Sequence, residues 1–205
     1  MNIDEVMRAA PVIPVLVLDG AIDPVALAET LVEAGLPVIE VTLRTPSALA
    51  AMKAMASVEG AIVGAGTVLN ERMLGEAIGA GAKFIVSPGL TEPLARAAIK
   101  SGVPFLPGVA TAADIMRGLD LGLSRFKFFP AEAAGGMPAL KALAGPFGGV
   151  RFCPTGGIRE DTAPQWLALP SVLCVGGSWV VRPGENDLEA IADRARAAAE
   201  LRAAE

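Results

Sequence analysis

A lysine stands among aromatic residues in the segment Arg125-Phe-Lys-Phe-Phe-Pro130. A strand alternates its faces, so Phe126 and Phe128 point one way while Lys127 and Phe129 point the other. On a central strand, Lys127 would then face the interior near the strand's upper end. A charged amine is costly to desolvate, and burial favours its neutral form. A neutral amine attacks carbonyl carbon and forms a Schiff base. The same pattern also fits a lysine that snorkels to solvent from an edge strand. On residue physics alone both readings stand.

The second segment is Val38-Ile-Glu-Val-Thr-Leu-Arg44. Period-two alternation sets Glu40 and Thr42 on one face, with Ile39 and Val41 on the other. A carboxylate inside an apolar strand seldom stays unpaired. Glu40 is a candidate general acid/base whose partner is Lys127 or a water. Arg44, just past the strand, can grip a substrate carboxylate with its planar fork. The competing reading is a structural Glu40–Arg44 pair. Four residues of strand span about 13 Å, which puts the two out of contact unless the chain bends after Thr42.

The third constellation is Gly156-Gly157-Ile158 with Gly176-Gly177-Ser178, both late in the chain. Glycines let a backbone approach an anion closely, and exposed N–H groups beside a helix N-terminus favour phosphate. Ser178 and Thr155 would add hydroxyl donors. Two tight turns without a ligand are the plain alternative. Gly64-Ala-Gly-Thr67 lacks the spacing of a dinucleotide loop, so Thr67 is read as a hydroxyl facing the site's mouth.

The elements that must carry these residues alternate from end to end. Apolar runs at Val12–Leu18, Pro37–Thr42, Ala61–Val63, Lys83–Val86, Val103–Leu106, Arg125–Phe129, Val150–Cys153 and Ser171–Val175 read as strands. Amphipathic stretches include Pro24–Ala34, Ser47–Ala56, Glu71–Ala80, Glu92–Ile99 and Ala112–Leu119, with a final helix over Asn186–Ala203. Met1 to Ala10 reads as a short amphipathic helix without a signal-peptide core. Strand–helix alternation implies parallel strands under helices, and continuous apolar strands imply burial on both faces. Eight such units predict an α/β fold, a (β/α)8 TIM barrel with a short N-terminal helix, as one domain over residues 1–205. An open doubly wound sheet is the alternative, but no G-x-G-x-x-G follows Leu18. In a barrel the pairs that punctuate the strand ends, Gly64 and Gly66, Pro88 and Gly89, Pro107 and Gly108, Gly156 and Gly157, and Gly176 and Gly177, fall on loops at the C-terminal face, where active sites sit.

Composition narrows the chemistry further. The 205 residues include no histidine and no tyrosine, which excludes Ser-His and Cys-His triads and most catalytic zinc geometries. Acidic residues lie mainly in the helical stretches, so no metal is expected. With a net charge of −5 and Lys and Arg thinly spread, nucleic-acid binding is not expected. Cys153 and Cys174 are the only cysteines; no disulfide framework is suggested, and a reducing cytoplasm fits. No apolar run reaches the ~18 residues of a membrane span.

Six stretches in order resemble the 2-keto-3-deoxy-6-phosphogluconate (KDPG) aldolases. They are Val38–Thr45, Gly64–Asn70, Ser87–Pro93, Phe126–Glu132, Phe152–Ile158 and Val175–Trp179. The resemblance runs in register along nearly the whole chain, with the helices between diverging. It implies a class I aldolase with no metal or cofactor, cleaving the phosphorylated keto acid to pyruvate and glyceraldehyde 3-phosphate in the Entner–Doudoroff pathway. It also implies action on 4-hydroxy-2-oxoglutarate and a homotrimer. By motif position Lys127 would be the Schiff-base lysine and Glu40 the general acid/base. Arg44 and Thr67 would hold the pyruvyl carboxylate, with Thr155 beside the substrate and Pro88 and Phe129 shaping the pocket. Gly156, Gly157, Gly176, Gly177 and Ser178 would bind phosphate.

Three other functions compete. A sibling aldolase for the galactonate epimer usually carries Val in place of Thr155 and lacks the Phe-Lys-Phe-Phe strand. A phosphate-binding isomerase or synthase barrel would share the late glycines without needing Lys127. A binding or scaffold barrel would need neither Lys127 nor Glu40. Trapping a covalent imine separates the aldolases from the last two.

Overall fold

The computed structural model describes residues 1–201. Its elements run α1 (Ile3–Arg8), β1 (Val12–Leu16), α2 (Pro24–Glu33), β2 (Val38–Thr42), α3 (Ala48–Met55) and β3 (Ile62–Gly66). They continue through α4 (Glu71–Gly79), β4 (Ile85–Val86), α5 (Glu92–Ser101), β5 (Phe105–Leu106), β6 (Gly108–Val109) and α6 (Ala112–Asp120). The chain then forms β7 (Arg125–Phe128), α7 (Gly136–Ala144), β8 (Arg151–Pro154), α8 (Ala163–Leu167), β9 (Val175–Gly177) and α9 (Leu188–Ala199). Among the described residues no helix is long and apolar enough to cross a membrane.

The architecture is α/β with parallel strands, as the alternation predicts. One run has the order β5-β4-β3-β2-β1-β9 and a second β6-β7-β8. Bridges Phe152↔Val172 and Thr155↔Gly176 lie between β8 and the chain around β9. Pro107 separates β5 from β6. Proline has no N–H to give a ladder, yet the Pro107 carbonyl still accepts from Lys127 N at 2.9 Å.

Alternation along the strands sorts their side chains onto two faces. Ile39, Val41, Phe126, Phe128 and Phe152 join the large cluster under the helices. Ile13, Val38, Phe84, Val86, Leu106 and Cys153 form a smaller cluster on the other face, with Val6 and Met7 of α1 packed into it. Helix α1 starts with a capping box, Asn2 and Glu5 satisfying each other's backbone N–H. Asp4 ties it to Arg125 of β7. Cys153 and Cys174 lie in the smaller cluster as buried free thiols.

Three readings need correction. The last strand is Val175–Gly177, not Ser171–Val175, because its register against β1 pairs Val12 with Val175 and Pro14 with Gly177. The preceding Val172, Leu173 and Cys174 are buried through their side chains without being strand. Secondly, Gly64, Gly66, Gly108, Gly176 and Gly177 sit inside strands rather than in the loops after them. They make room: a Cβ at 64 would strike the Phe84 ring, one at 66 the Glu40 carboxylate, and one at 176 the Thr155 hydroxyl. Thirdly, the final helix is shorter than Asn186–Ala203, starting after an Asp187 cap whose side chain accepts from Glu189 N and Ala190 N. Residues 202 and 203 of that reading lie outside the described residues.

Candidate active site

Lys127 and Glu40 meet in the interior. Lys127 is carried by β7, where Phe126 and Phe128 anchor the opposite face and are fully buried. Glu40 is carried by β2 between Ile39 and Val41. The two polar side chains are 5% and 3% exposed. Lys127 Nζ donates to Glu40 Oε1 at 2.9 Å and lies 3.2 Å from Oε2. It also stands 5.5 Å from the centroid of the Phe129 ring. The lysine is therefore buried and paired, not snorkelling, and Glu40 has chosen Lys127 over Arg44. Removing either partner would leave the other buried without its counter-charge, a strongly destabilising state.

Gly66 is the residue that makes this pairing possible. It is paired with Thr42 in the β2–β3 register, and its missing side chain is the space that the Glu40 carboxylate fills. By its place after an apolar run Gly66 reads as a strand-end punctuation mark, but it lies inside β3. The available signal was a glycine inside an otherwise apolar strand pattern, which marks a close approach of another group. Thr42, on the same face of β2, donates to Leu16 O at 2.7 Å and is spent structurally.

At the C-terminal ends of β2 and β3, Arg44 Nε donates to Thr67 Oγ1 at 3.1 Å. Thr67 has φ +59°, a left-handed conformation that a β-branched residue rarely adopts. Arg44 itself is exposed, and among the described residues its other fork nitrogens have no hydrogen-bond partner, which leaves them open to a carboxylate. Pro88 and Phe129 share the wall of a cavity of about 380 Å³, with Gly89, Leu90, Gly108 and Val109. Lys127 and Glu40 do not line that cavity; Phe129 is the residue common to it and to the lysine.

The late glycines come together through β8 and β9. Thr155, 6% exposed, is bridged to Gly176. Gly156 and Gly157 follow in a turn at φ +107° and +80°, values that glycine adopts without strain. Ser178 is exposed at the rim. Among the described residues, no group of three or more His, Cys, Asp or Glu side chains is placed to hold a metal ion.

The family profile described as "KDPG and KHG aldolase" matches residues 3–194. The chain belongs to the KDPG and KHG aldolase family. Among curated relatives in this family, the 2-dehydro-3-deoxy-phosphogluconate aldolase of Zymomonas mobilis is 58% identical over 203 residues, covering 99% of this chain and 98% of the relative. A crystal structure of the 2-keto-3-deoxy-6-phosphogluconate aldolase of Zymomonas mobilis with 3-phosphoglycerate superposes with a TM-score of 0.96 at 58% identity, covering 98% of this chain and 97% of that one. The KDPG aldolase from Legionella pneumophila, with pyruvate captured as a covalent carbinolamine intermediate, gives a TM-score of 0.94 at 43% identity, covering 97% and 98%.

Proposed function

We propose that this chain is a class I aldolase that cleaves 2-keto-3-deoxy-6-phosphogluconate to pyruvate and glyceraldehyde 3-phosphate. The observation that carries the reading is the buried contact of Lys127 Nζ with Glu40 Oε1 at 2.9 Å. It joins a carbonyl nucleophile to a proton carrier in a water-poor interior. The Zymomonas and Legionella relatives support the substrate and pyruvate assignments.

In this mechanism the Lys127 ammonium passes a proton to Glu40 across their 2.9 Å contact. The neutral amine attacks the C2 carbonyl, and Glu40 gives that proton to the carbinolamine oxygen, which leaves as water to form the iminium. Glu40 takes the proton of the C4 hydroxyl as the C3–C4 bond breaks. The bonding pair passes to the iminium nitrogen, leaving an enamine, and the aldehyde departs. Glu40 returns its proton to C3, and water hydrolyses the imine to release pyruvate and the free amine. The imine is itself the electron sink, so the steps call for no metal or cofactor. Arg44 and Thr67 would hold the pyruvyl carboxylate, Thr155 would stand beside the substrate, and Pro88 and Phe129 would shape the pocket. Gly156, Gly157, Gly176, Gly177 and Ser178 would surround the phosphate.

The same reading has the chain as a single (β/α)8 barrel domain; of its range 1–205, residues 202–205 lie outside the described residues. Support comes from β5 and β6 being one run of chain interrupted only at Pro107, and from the two bridges between β8 and the β9 region. It also takes in 4-hydroxy-2-oxoglutarate, the KHG of the family description, as a second substrate. A homotrimer, to be checked by sedimentation equilibrium, and a cytoplasmic place beside the phosphorylated sugar acids complete it.

The test is borohydride reduction in the presence of pyruvate. One adduct is expected, on the peptide carrying Phe126–Phe129, and Lys127→Arg is expected to fold yet form none, because a guanidinium stays charged. An adduct on another lysine, or none in the wild type, would sink the mechanism.

A further inference from the structure

Glu132 has no part in the chemistry above, yet it is tied to the turn that the proposed phosphate site uses. Its backbone N–H donates to Gly156 O at 3.0 Å, one residue after Ala131 N donates to Thr155 O at 2.8 Å. Gly157 packs on its stem so closely that a Cβ there would stand 2.8 Å from both Glu132 Cβ and Cγ. The residue as a whole is exposed, and an exposed glutamate normally samples many rotamers. Here the carboxylate is held: Trp166 Nε1 donates to Glu132 Oε1 at 3.1 Å. Trp166 is fully buried on α8 and packs against Phe128 with ring centroids 6.4 Å apart. Phe128 neighbours Lys127 on β7. The indole is thus an immobile post, and the glutamate is the strut between it and the Gly156–Gly157 turn.

We infer that Glu132 is a positioning residue: anchored by Trp166, its stem fixes the Gly156–Gly157 turn in the shape that receives the distal phosphate. The inference rests on the phosphate reading given above and adds to it a device that sets the turn's shape in advance. A two-glycine turn has more backbone freedom than any other dipeptide, and binding would otherwise have to order it at a cost in affinity. Holding the turn against a locked side chain removes that cost before the ligand arrives. The carboxylate's role is as an acceptor for the indole, not as a charge. A negative charge beside a phosphate would by itself oppose binding.

The experiment compares Glu132→Ala and Glu132→Gln with wild type on two substrates, 2-keto-3-deoxy-6-phosphogluconate and unphosphorylated 4-hydroxy-2-oxoglutarate. Glutamine keeps an acceptor and the stem; alanine loses both. For Glu132→Ala the KM of the phosphorylated substrate should rise roughly three- to tenfold, the worth of one lost hydrogen bond's ordering. Its KM for 4-hydroxy-2-oxoglutarate should stay within about twofold. Glu132→Gln should restore the wild-type KM ratio. Borohydride trapping of pyruvate on Lys127 should be unchanged in both variants. An unchanged KM ratio in Glu132→Ala would overturn the inference even if the variant melts earlier, since a merely structural role lowers stability without selecting the phosphate. Equal behaviour of the glutamine and alanine variants would overturn it in favour of charge. Failure of the wild type to trap pyruvate would instead strike the aldolase reading itself, so the two failures are distinguishable.

Discussion

The centre and the rim of the candidate site are built by opposite means. At the centre, Lys127 and Glu40 are long side chains, each pinned by a strand whose alternate residues are sunk in the core and each almost sealed from solvent. At the rim, the groups proposed for phosphate are mostly backbone, from Gly156, Gly157, Gly176 and Gly177, with the exposed hydroxyl of Ser178 beside them. The difference teaches that side-chain chemistry is placed by packing, whereas anion binding by N–H groups is placed by leaving side chains out. Substitutions at the centre should therefore abolish turnover, and those at the rim should adjust affinity.

The harshest break of that contrast is Glu40→Gln. It keeps the shape but loses both the proton carrier and the counter-charge of Lys127, so the melting temperature should drop. The kcat of the folded enzyme should fall roughly 10²–10⁴-fold, the usual worth of general acid/base catalysis, while slow imine formation with pyruvate survives. Near-normal kcat would return Glu40 to a structural role. Next comes Gly66→Ala, which tests whether emptiness matters at the centre too. The new methyl collides with the Glu40 carboxylate. Misplacement on the ångström scale should cost roughly 10²-fold in kcat, with stability down by about 1–3 kcal/mol from overpacking. Full activity with an unchanged melting temperature would show that Glu40 has other room.

Smaller effects sharpen the rim. Ser178→Ala should weaken the phosphorylated substrate by about 0.5–1.5 kcal/mol in kcat/KM, and leave pyruvate trapping alone. A wild type with no preference for the phosphorylated acid would overturn the phosphate assignment outright and promote 4-hydroxy-2-oxoglutarate. The slightest effect lies away from both regions. Arg194, bonded to Glu185, holds that carboxyl below its ordinary value against the opposing effect of burial. A depressed folded value means the stabilisation is present above the unfolded value of about 4.3 and is lost as pH falls through the folded one. In melting curves from neutral pH down to acid, Glu185→Gln should lower stability at neutral pH and flatten the acid-side fall. Parallel curves would deny the ion pair any part in acid unfolding.

Much of the centre could be read from residue order, because the period of two that buries Phe126 and Phe128 also turns Lys127 inward, and the same holds for Ile39, Glu40 and Val41. The strand positions followed from apolar runs for the same reason. What stayed hidden was cross-strand. That Gly66 exists for Glu40, Gly64 for Phe84 and Gly176 for Thr155 depends on which strands are neighbours and in what register, which a local pattern does not encode. The last strand was misplaced on similar grounds: Val172 and Cys174 look like strand because they are apolar, but pairing with Val12 to Pro14 selects Val175 to Gly177. The Glu132–Trp166 contact joins residues 34 apart in the chain and had no local signature.

The two cysteines have a practical consequence. Cys153 and Cys174 are 2% and 0% exposed, and the adjoining Cys153 sulfur together with burial pushes the Cys174 thiol well above its ordinary range. Thiolate is the form that reacts with maleimides and iodoacetamides, so the native molecule is a silent background for such reagents. A single cysteine introduced on an exposed helix face would take a fluorophore or spin label alone, without first stripping out the natural pair.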